Sequence, residues 1–573
     1  MDTRHCRFSL VALLLAGLLF FACSRQAGTG ILRIGLAEGP RTLNVWLASD
    51  ANSSKVLSLI YQPLYLYDPD TLDMVPWLAD GMPVYDASSR SYTVKLKNAR
   101  WSDGTPFTSA DVAFTGRLIL TFKIPRFMSS WRFIEHIATP DAHSVIFYLK
   151  HPMAAFMTST LFTPIVQQKQ WAPIARRAEK MQRPLTSLLD QRIDYPVGTG
   201  PFTLVQWRQG AFLHLKKNPY FFGSGTTING HRLGPFVNDL IYSIFGTSDV
   251  AVLALEKGSI DMFWWPLQPG YMEDLSRRKD IRIFVNPKSA LYFIGFNLRH
   301  PPFDDITLRR AAAYLIDKRF IVQRILQGQG TEMFSVIPAA NRFWHCKDLP
   351  RYGDGMSRKQ RIITAYRLLS KAGYTWAVPP VDAAGRIRKG EGIRLPDGKP
   401  MARFTILTPP ADYDPDRATT GLMIQEWLRA LGMPAYARPE AFSALLEQVK
   451  VNHHFDAFIL GYGHLRLDPD YVRNLFYSAN AKRRGWNMSG YKNAAFDAAA
   501  DLSIREMDPA KRRALVMKMQ ELIARDLPYI PLYKPSVVEA VRTDRFVGWV
   551  PMVEGIGNIW SLCEVRPVNP NGA

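Results

Sequence analysis

Between Gly461 and Asp470 the chain reads Gly461, Tyr462, Gly463, His464, Leu465, Arg466, Leu467, Asp468, Pro469, Asp470, which gathers an imidazole, a guanidinium and two carboxylates on one short stretch. Side chains of these types recognise polar ligands through charge-assisted hydrogen bonds. Arg466 suits a carboxylate or a phosphate; a solvent-facing guanidinium is the other reading of the same residue. No local catalytic set accompanies it, since the sequence holds no GxSxG elbow, HExxH pair or Walker loop. A triad assembled from distant segments is the enzymatic alternative. His453 and His454 are adjacent and on a strand would face opposite ways, so they do not share a metal. The run Gly198-Thr199-Gly200 lacks the spacing of a phosphate loop and leads into an alternating stretch from Phe202 to Trp207, so it reads as a turn. No CxxC or Cys/His array suggests zinc, and no cofactor is expected.

The elements around these residues follow from periodicity and turn chemistry. Residues 455–463 read as a strand that leaves into the His464–Asp468 stretch, with a helix after it from Val472 to Phe476. The most sharply specified stretch is Trp101-Ser102-Asp103-Gly104-Thr105-Pro106-Phe107-Thr108. Asp103-Gly104 ahead of Pro106 predicts a tight turn, and Thr108 predicts an N-cap with Asp111 three residues on and Phe107 and Val112 as flanking staple residues. Residues 56–64 read as a helix stopped by Pro63, with Asp50 ahead of it as a cap or as a residue facing a cleft. Trp131 lines a pocket or fills a core. Leu308, Ala312 and Leu315 share one helical face, and Asp317 is placed to cap the next helix.

At 573 residues the chain exceeds one core, and roughly 100–200 residues per domain implies three or four units. Arg4 and Arg7 precede an apolar stretch over 8–22 that ends at Cys23. It is short for a membrane span, which needs about 20 apolar residues, and reads as a signal peptide. Phe20-Phe21-Ala22-Cys23 resembles a bacterial lipobox with Phe in place of the usual Leu, which makes Cys23 a lipidation site; ordinary cleavage nearby is the alternative. Removing 1–22 takes away two arginines and one aspartate and so lowers the net charge of +21 by one. The basic clusters at 176–177, 277–279, 482–484 and 511–513 are scattered. With export, they read as solvated faces near an anionic membrane and not as a nucleic-acid surface. Of the four cysteines only Cys346 and Cys563 are left to pair in an oxidising compartment, and nothing in the sequence shows that they do.

The Trp101–Val112 run resembles the signature of the family 5 extracellular solute-binding proteins, the oligopeptide, dipeptide and nickel receptors of ABC importers. Further blocks agree in order: Pro196 to Phe202 with Asn218-Pro219-Tyr220, Leu255 to Asp261, Pro302 to Asp317, then Asn487, Tyr491 and Asp497, and Asp526 to Tyr533. The resemblance covers 31–555. It implies an α/β, two-lobed periplasmic binding protein fold (type II, cluster C) with an extra small α/β domain in the first lobe. The divisions it suggests are a signal peptide over 1–22, first lobe over 23–74, small domain over 75–194, first lobe again over 195–290, second lobe over 291–535 and a return to the first lobe over 536–573.

It also implies a monomeric periplasmic receptor without chemistry of its own, tethered as a lipoprotein, that closes on a peptide-like solute and delivers it to an ABC permease. The implied ligand contacts are Asp50, Trp131, Gly461, Tyr462, Gly463, His464, Arg466 and Asp468. Peptide receptors of the family place an acid about four residues before the loop proline to hold the ligand's amine. That position is Leu465 here, so recognition of a free amine is not implied, unless Asp468 substitutes. A nickel chelate, haem or opine receptor, an exported hydrolase and a sensor are the alternatives.

Overall fold

The computed structural model describes residues 30–568 except 49, 265, 266 and 268. The predicted signal peptide and Cys23 lie outside the described residues.

The strand Tyr529–Arg542 organises the molecule. Its first half pairs antiparallel with Leu291–Phe296 and with Gly330–Glu332, and its second half, from Ser536 onward, pairs with Ile281–Pro287. The partners change between Pro535 and Ser536. Beside it the chain makes a second crossing over 288–290, between Ile281–Pro287 and Leu291–Phe296. Two lobes therefore share two adjacent backbone crossings, the arrangement in which a few residues can absorb a hinge rotation.

On one side of the crossings Ile31–Leu36 runs parallel to Asp239–Ile244, which continues antiparallel into Phe212–Lys217 and Phe202–Arg208. On the other side Leu291–Phe296 pairs with Ala457–Tyr462, followed by Phe404–Thr408 and Ala435–Pro439 in parallel. In the second lobe Leu291–Phe296 and Ala457–Tyr462 are buried along most of their length, because Ile294, Phe296 and Ile459 pack into one apolar cluster and Leu291, Phe293, Phe458 and Leu460 into another. The first lobe carries a separate antiparallel sheet of Val84–Asp86, Ser91–Lys95, Ser144–Leu149 and Ile134–Asp141. The helix Ser109–Phe122 packs on it.

The predicted turn at 101–108 forms as its residues dictate. Gly104 takes φ 81°, a conformation that costs glycine nothing. The Asp111 carboxylate accepts from the Thr108 amide at 3.0 Å, from Trp101 Nε1 at 3.1 Å and from the Gln168 amide at 2.8 Å, so one side chain ties the turn, the helix start and the next segment together.

Other expectations shift. The helix predicted over 56–64 lies over Ala51–Leu57, because Asp50 accepts from the Ser53 amide at 2.8 Å and starts it early. It ends early as well, since the carbonyls of Leu59 and Ile60 accept from the Phe202 and Gly200 amides and are unavailable for further helix. His453 adopts φ 54° at the end of a helical turn, ahead of the strand Ala457–Tyr462, so the two histidines are not strand residues. Cys346 and Cys563 are both buried as free thiols.

Glu539 lies on the crossing strand and is almost fully buried. Burial pushes its carboxyl up to about 7, against the opposing pull of the Lys55 charge and of the Ile556 amide, which donates to it at 2.5 Å. Between the ordinary value of 4.5 and about 7 the folded protein keeps a proton that the unfolded chain has released. Stability therefore falls as pH rises through that window, by at most about 1.4 kcal/mol per pH unit. Urea unfolding between pH 5 and 7 is expected to show this slope in the wild type and a flatter one in Glu539→Gln. An unchanged slope in the variant would assign the effect to other groups.

Candidate functional site

A cavity of about 370 Å³ opens between the lobes, next to the crossings. Its size falls in the range of small-molecule sites, roughly 300–1,000 Å³. The first lobe supplies Tyr67, Leu72, Arg126, Phe127, Ser130, Thr158, Phe162 and Thr163 to its wall. The crossing at 288–290 supplies Ser289, the second lobe supplies the loop residues His464, Leu465, Arg466 and Leu467, and the return segment supplies Met552, Val553 and Glu554. Leu72, Met552 and Val553 also border a second hollow of about 230 Å³, lined further by Asp70, Asn286 and Arg342.

The loop after Ala457–Tyr462 is held by its backbone. The Leu465 amide donates to the Ser289 carbonyl at 2.6 Å, and Asn341 Nδ2 donates to the Leu467 carbonyl at 2.6 Å. These bonds leave the side chains of His464 and Arg466 exposed at the cavity. His464 Nδ1 stands 3.3 Å from a Glu554 carboxylate oxygen, and the other oxygen accepts from the Ser289 amide at 2.7 Å. Burial raises the Glu554 carboxyl, but His464, the Ser289 amide and Lys288 outweigh it and hold it below its ordinary value.

On the facing wall, Pro125 at the first position of Pro125–Trp131 presets the helix that presents Arg126. Arg126 Nη1 donates to the carbonyls of Val45 and Ala48. Burial first, and then the charge of Arg466, pull its pKa down. Tyr67 and Phe162 stack at 4.2 Å between ring centroids and form an apolar platform beside these charges.

The predicted site residues divide. His464 and Arg466 line the cavity. Gly461 and Tyr462 end the strand beneath the loop: a Cβ at Gly461 would meet the Tyr292 ring at 2.4 Å, and Tyr462 stacks on Phe293. Gly463 opens the loop near the Tyr292 hydroxyl. Trp131 is buried behind the wall and donates through Nε1 to Thr163 Oγ1 at 2.9 Å, so it positions Thr163 from the core and does not itself face the cavity. Asp50 is occupied as a helix cap. Asp468 is buried and forms a two-pronged ion pair with Arg512, Oδ2 to Nη1 at 2.8 Å and Oδ1 to Nη2 at 3.0 Å, and it also accepts from the Thr158 hydroxyl. Its carboxylate is thus taken and is not free to replace the missing acid at Leu465.

Tyr67, Arg126, Thr158, Ser289 and Glu554 were not anticipated from sequence. No local signal marks them, since each comes from a different segment. Among the described residues no group of three or more His, Cys, Asp or Glu could hold a metal ion.

The sequence model of the bacterial extracellular solute-binding proteins, family 5 Middle, matches residues 73–484. The chain belongs to this family. It is 25% identical over 521 residues to the oligopeptide-binding protein AppA of Bacillus subtilis, covering 88% of this chain and 86% of that protein. It is also 25% identical over 542 residues to the probable D,D-dipeptide-binding periplasmic protein DdpA of Escherichia coli, covering 92% and 93%. In fold it resembles HbpA2 of Haemophilus parasuis, with a TM-score of 0.74 at 20% identity over 94% of this chain and 100% of that one. The two-lobed family 5 fold and a solute-binding role follow.

Proposed function

We propose that the protein is the extracytoplasmic receptor of an ABC importer and that it captures a peptide-like solute between its lobes and hands it unaltered to the permease. It works as a monomer tethered through lipid on Cys23. The observation that carries this reading is the cavity walled by both lobes beside two backbone crossings. A solute that touches both walls binds the closed form better than the open one and so shifts the equilibrium toward closure. The names of AppA and DdpA, which specify an oligopeptide and a D,D-dipeptide, support the peptide-like class.

Native mass spectrometry of the purified protein tests it. A noncovalent adduct of a few hundred daltons, recovered intact after release, is the expected result. Empty protein that also ignores a peptide library defeats the peptide-like reading, and recovery of a cleaved peptide defeats the role without chemistry.

A further inference from the structure

Two guanidiniums from opposite lobes face the same cavity. Arg126 comes from the helix Pro125–Trp131 of the first lobe and Arg466 from the loop of the second. Among the described residues Arg466 makes no hydrogen bond or ion pair with a protein acid. Of the carboxylates nearby, Glu554 is held by the Ser289 amide and His464, Asp50 by the Ser53 amide and Asp468 by Arg512 and Thr158, while Asp470 does not line the cavity. Two guanidiniums against one lining carboxylate, Glu554, leave this space with a net positive charge, bordered by apolar Phe127 and Leu465.

We propose that the solute carries an oxyanion, a carboxylate or a phosphate, which seats between Arg126 and Arg466 and draws the lobes together. The inference rests on the peptide-like reading and deepens it by naming the group recognised. The planar fork of a guanidinium matches both oxyanions, and two forks from opposite sides satisfy more lone pairs than one. Without the anion the like charges oppose closure, because they approach each other as the cleft narrows and loses water. With it the same charges favour closure, since the anion gains its second arginine only in the closed form. That difference in affinity is what moves the equilibrium. The body of the solute continues past Leu72, Met552 and Val553 into the second hollow, where the Nδ2 of Asn286 has no partner.

The test uses the full chain and three N-acetylated hexapeptide libraries: one with free C-terminal carboxylates, one with C-terminal amides, and one amidated but ending in phosphoserine. Retained members are identified by mass spectrometry and measured by calorimetry. The free-acid or the phosphoserine library is expected to bind at least about tenfold more tightly than the amides, and the better of the two identifies the oxyanion. In Arg466→Gln the acid-to-amide ratio falls toward one while thermal unfolding is unchanged, because Arg466 is exposed and unpaired. Arg126→Gln is expected to do the same but also releases the Val45 and Ala48 carbonyls, so Arg466→Gln is the deciding variant. Equal affinity for all three libraries, or an Arg466→Gln protein that keeps the full preference, overturns the oxyanion clamp. Failure of every library overturns the peptide-like reading and the clamp with it.

Discussion

Asp468→Ala is expected to lower the free energy of unfolding by about 3–5 kcal/mol, the cost of breaking a buried ion pair by removing one partner. Both side chains are nearly inaccessible. Arg512 has further bonds, with Nε donating to the Ser503 carbonyl at 3.0 Å and the guanidinium 5.0 Å from the Trp344 ring centroid, so it has no route to water when its carboxylate is gone. The charge left behind is the penalty, and not the loss of the attraction itself. The double variant Asp468→Ala/Arg512→Met is therefore expected to recover much of the loss. Urea unfolding of the three proteins measures it, and a loss under about 1 kcal/mol in the single variant would mean that the pair behaves as an exposed one. The acid limb gives a second readout. Burial raises the Asp468 carboxyl, but Arg512, Thr158 and the Asp470 amide hold it below its ordinary value. Its contribution is present above the ordinary carboxylate range and is lost as pH falls through the depressed value. In the single variant that part of the acid unfolding should disappear. Because Thr158 belongs to the first lobe and Asp468 to the second, the same carboxylate also bonds across the two lobes.

The other large effect is expected at Gly198. A Cβ there would sit 1.9 Å from the Ile60 carbonyl oxygen, and one at Gly200 would sit 2.2 Å from the Leu59 oxygen. Both neighbours are backbone and cannot rotate aside. They are also fixed from the other direction, since the Leu59 and Ile60 carbonyls accept from Phe202 and Gly200. Gly198→Ala must therefore push apart the turn and the segment after Ala51–Leu57, at a cost of about 3 kcal/mol or more, the upper end of overpacking. Thermal unfolding of Gly198→Ala against a Gly210→Ala control checks this. Gly210 has nothing within 4 Å of its Cβ position but a φ of 75°, so its loss reports conformational strain alone. Equal losses in the two variants would remove the close approach as the cause. The Gly-Thr-Gly run thus serves packing: its glycines let one backbone lie on another.

The elements that could be read from sequence are those whose partners lie close along the chain. Asp103-Gly104, Pro106, Thr108 and Asp111 specify their turn and helix start over a few residues, and the structure reproduces them. The two-lobed fold class came instead from the resemblance of the ordered blocks to the family 5 solute-binding proteins. Asp50 and the first helix were read less well, because the carbonyls that end that helix are claimed by residues about 140 positions further on, at 200 and 202.

The site depended on tertiary structure throughout. His464 and Arg466 stood out because the loop concentrates polar groups, yet nothing adjacent to them distinguished a free guanidinium from a paired carboxylate. Arg512, 44 residues beyond Asp468, is what removes that acid from the ligand's reach. Arg126, Glu554 and Ser289 reach the cavity from segments hundreds of residues apart. What the sequence by itself determined about this protein is its local geometry, because short-range sterics and periodicity act within a few residues, while the two-lobed class came from the resemblance of its blocks to the family. Which charges remain unspent between the lobes was decided only by folding, since neutralising or freeing a buried charge depends on which distant partner packs against it.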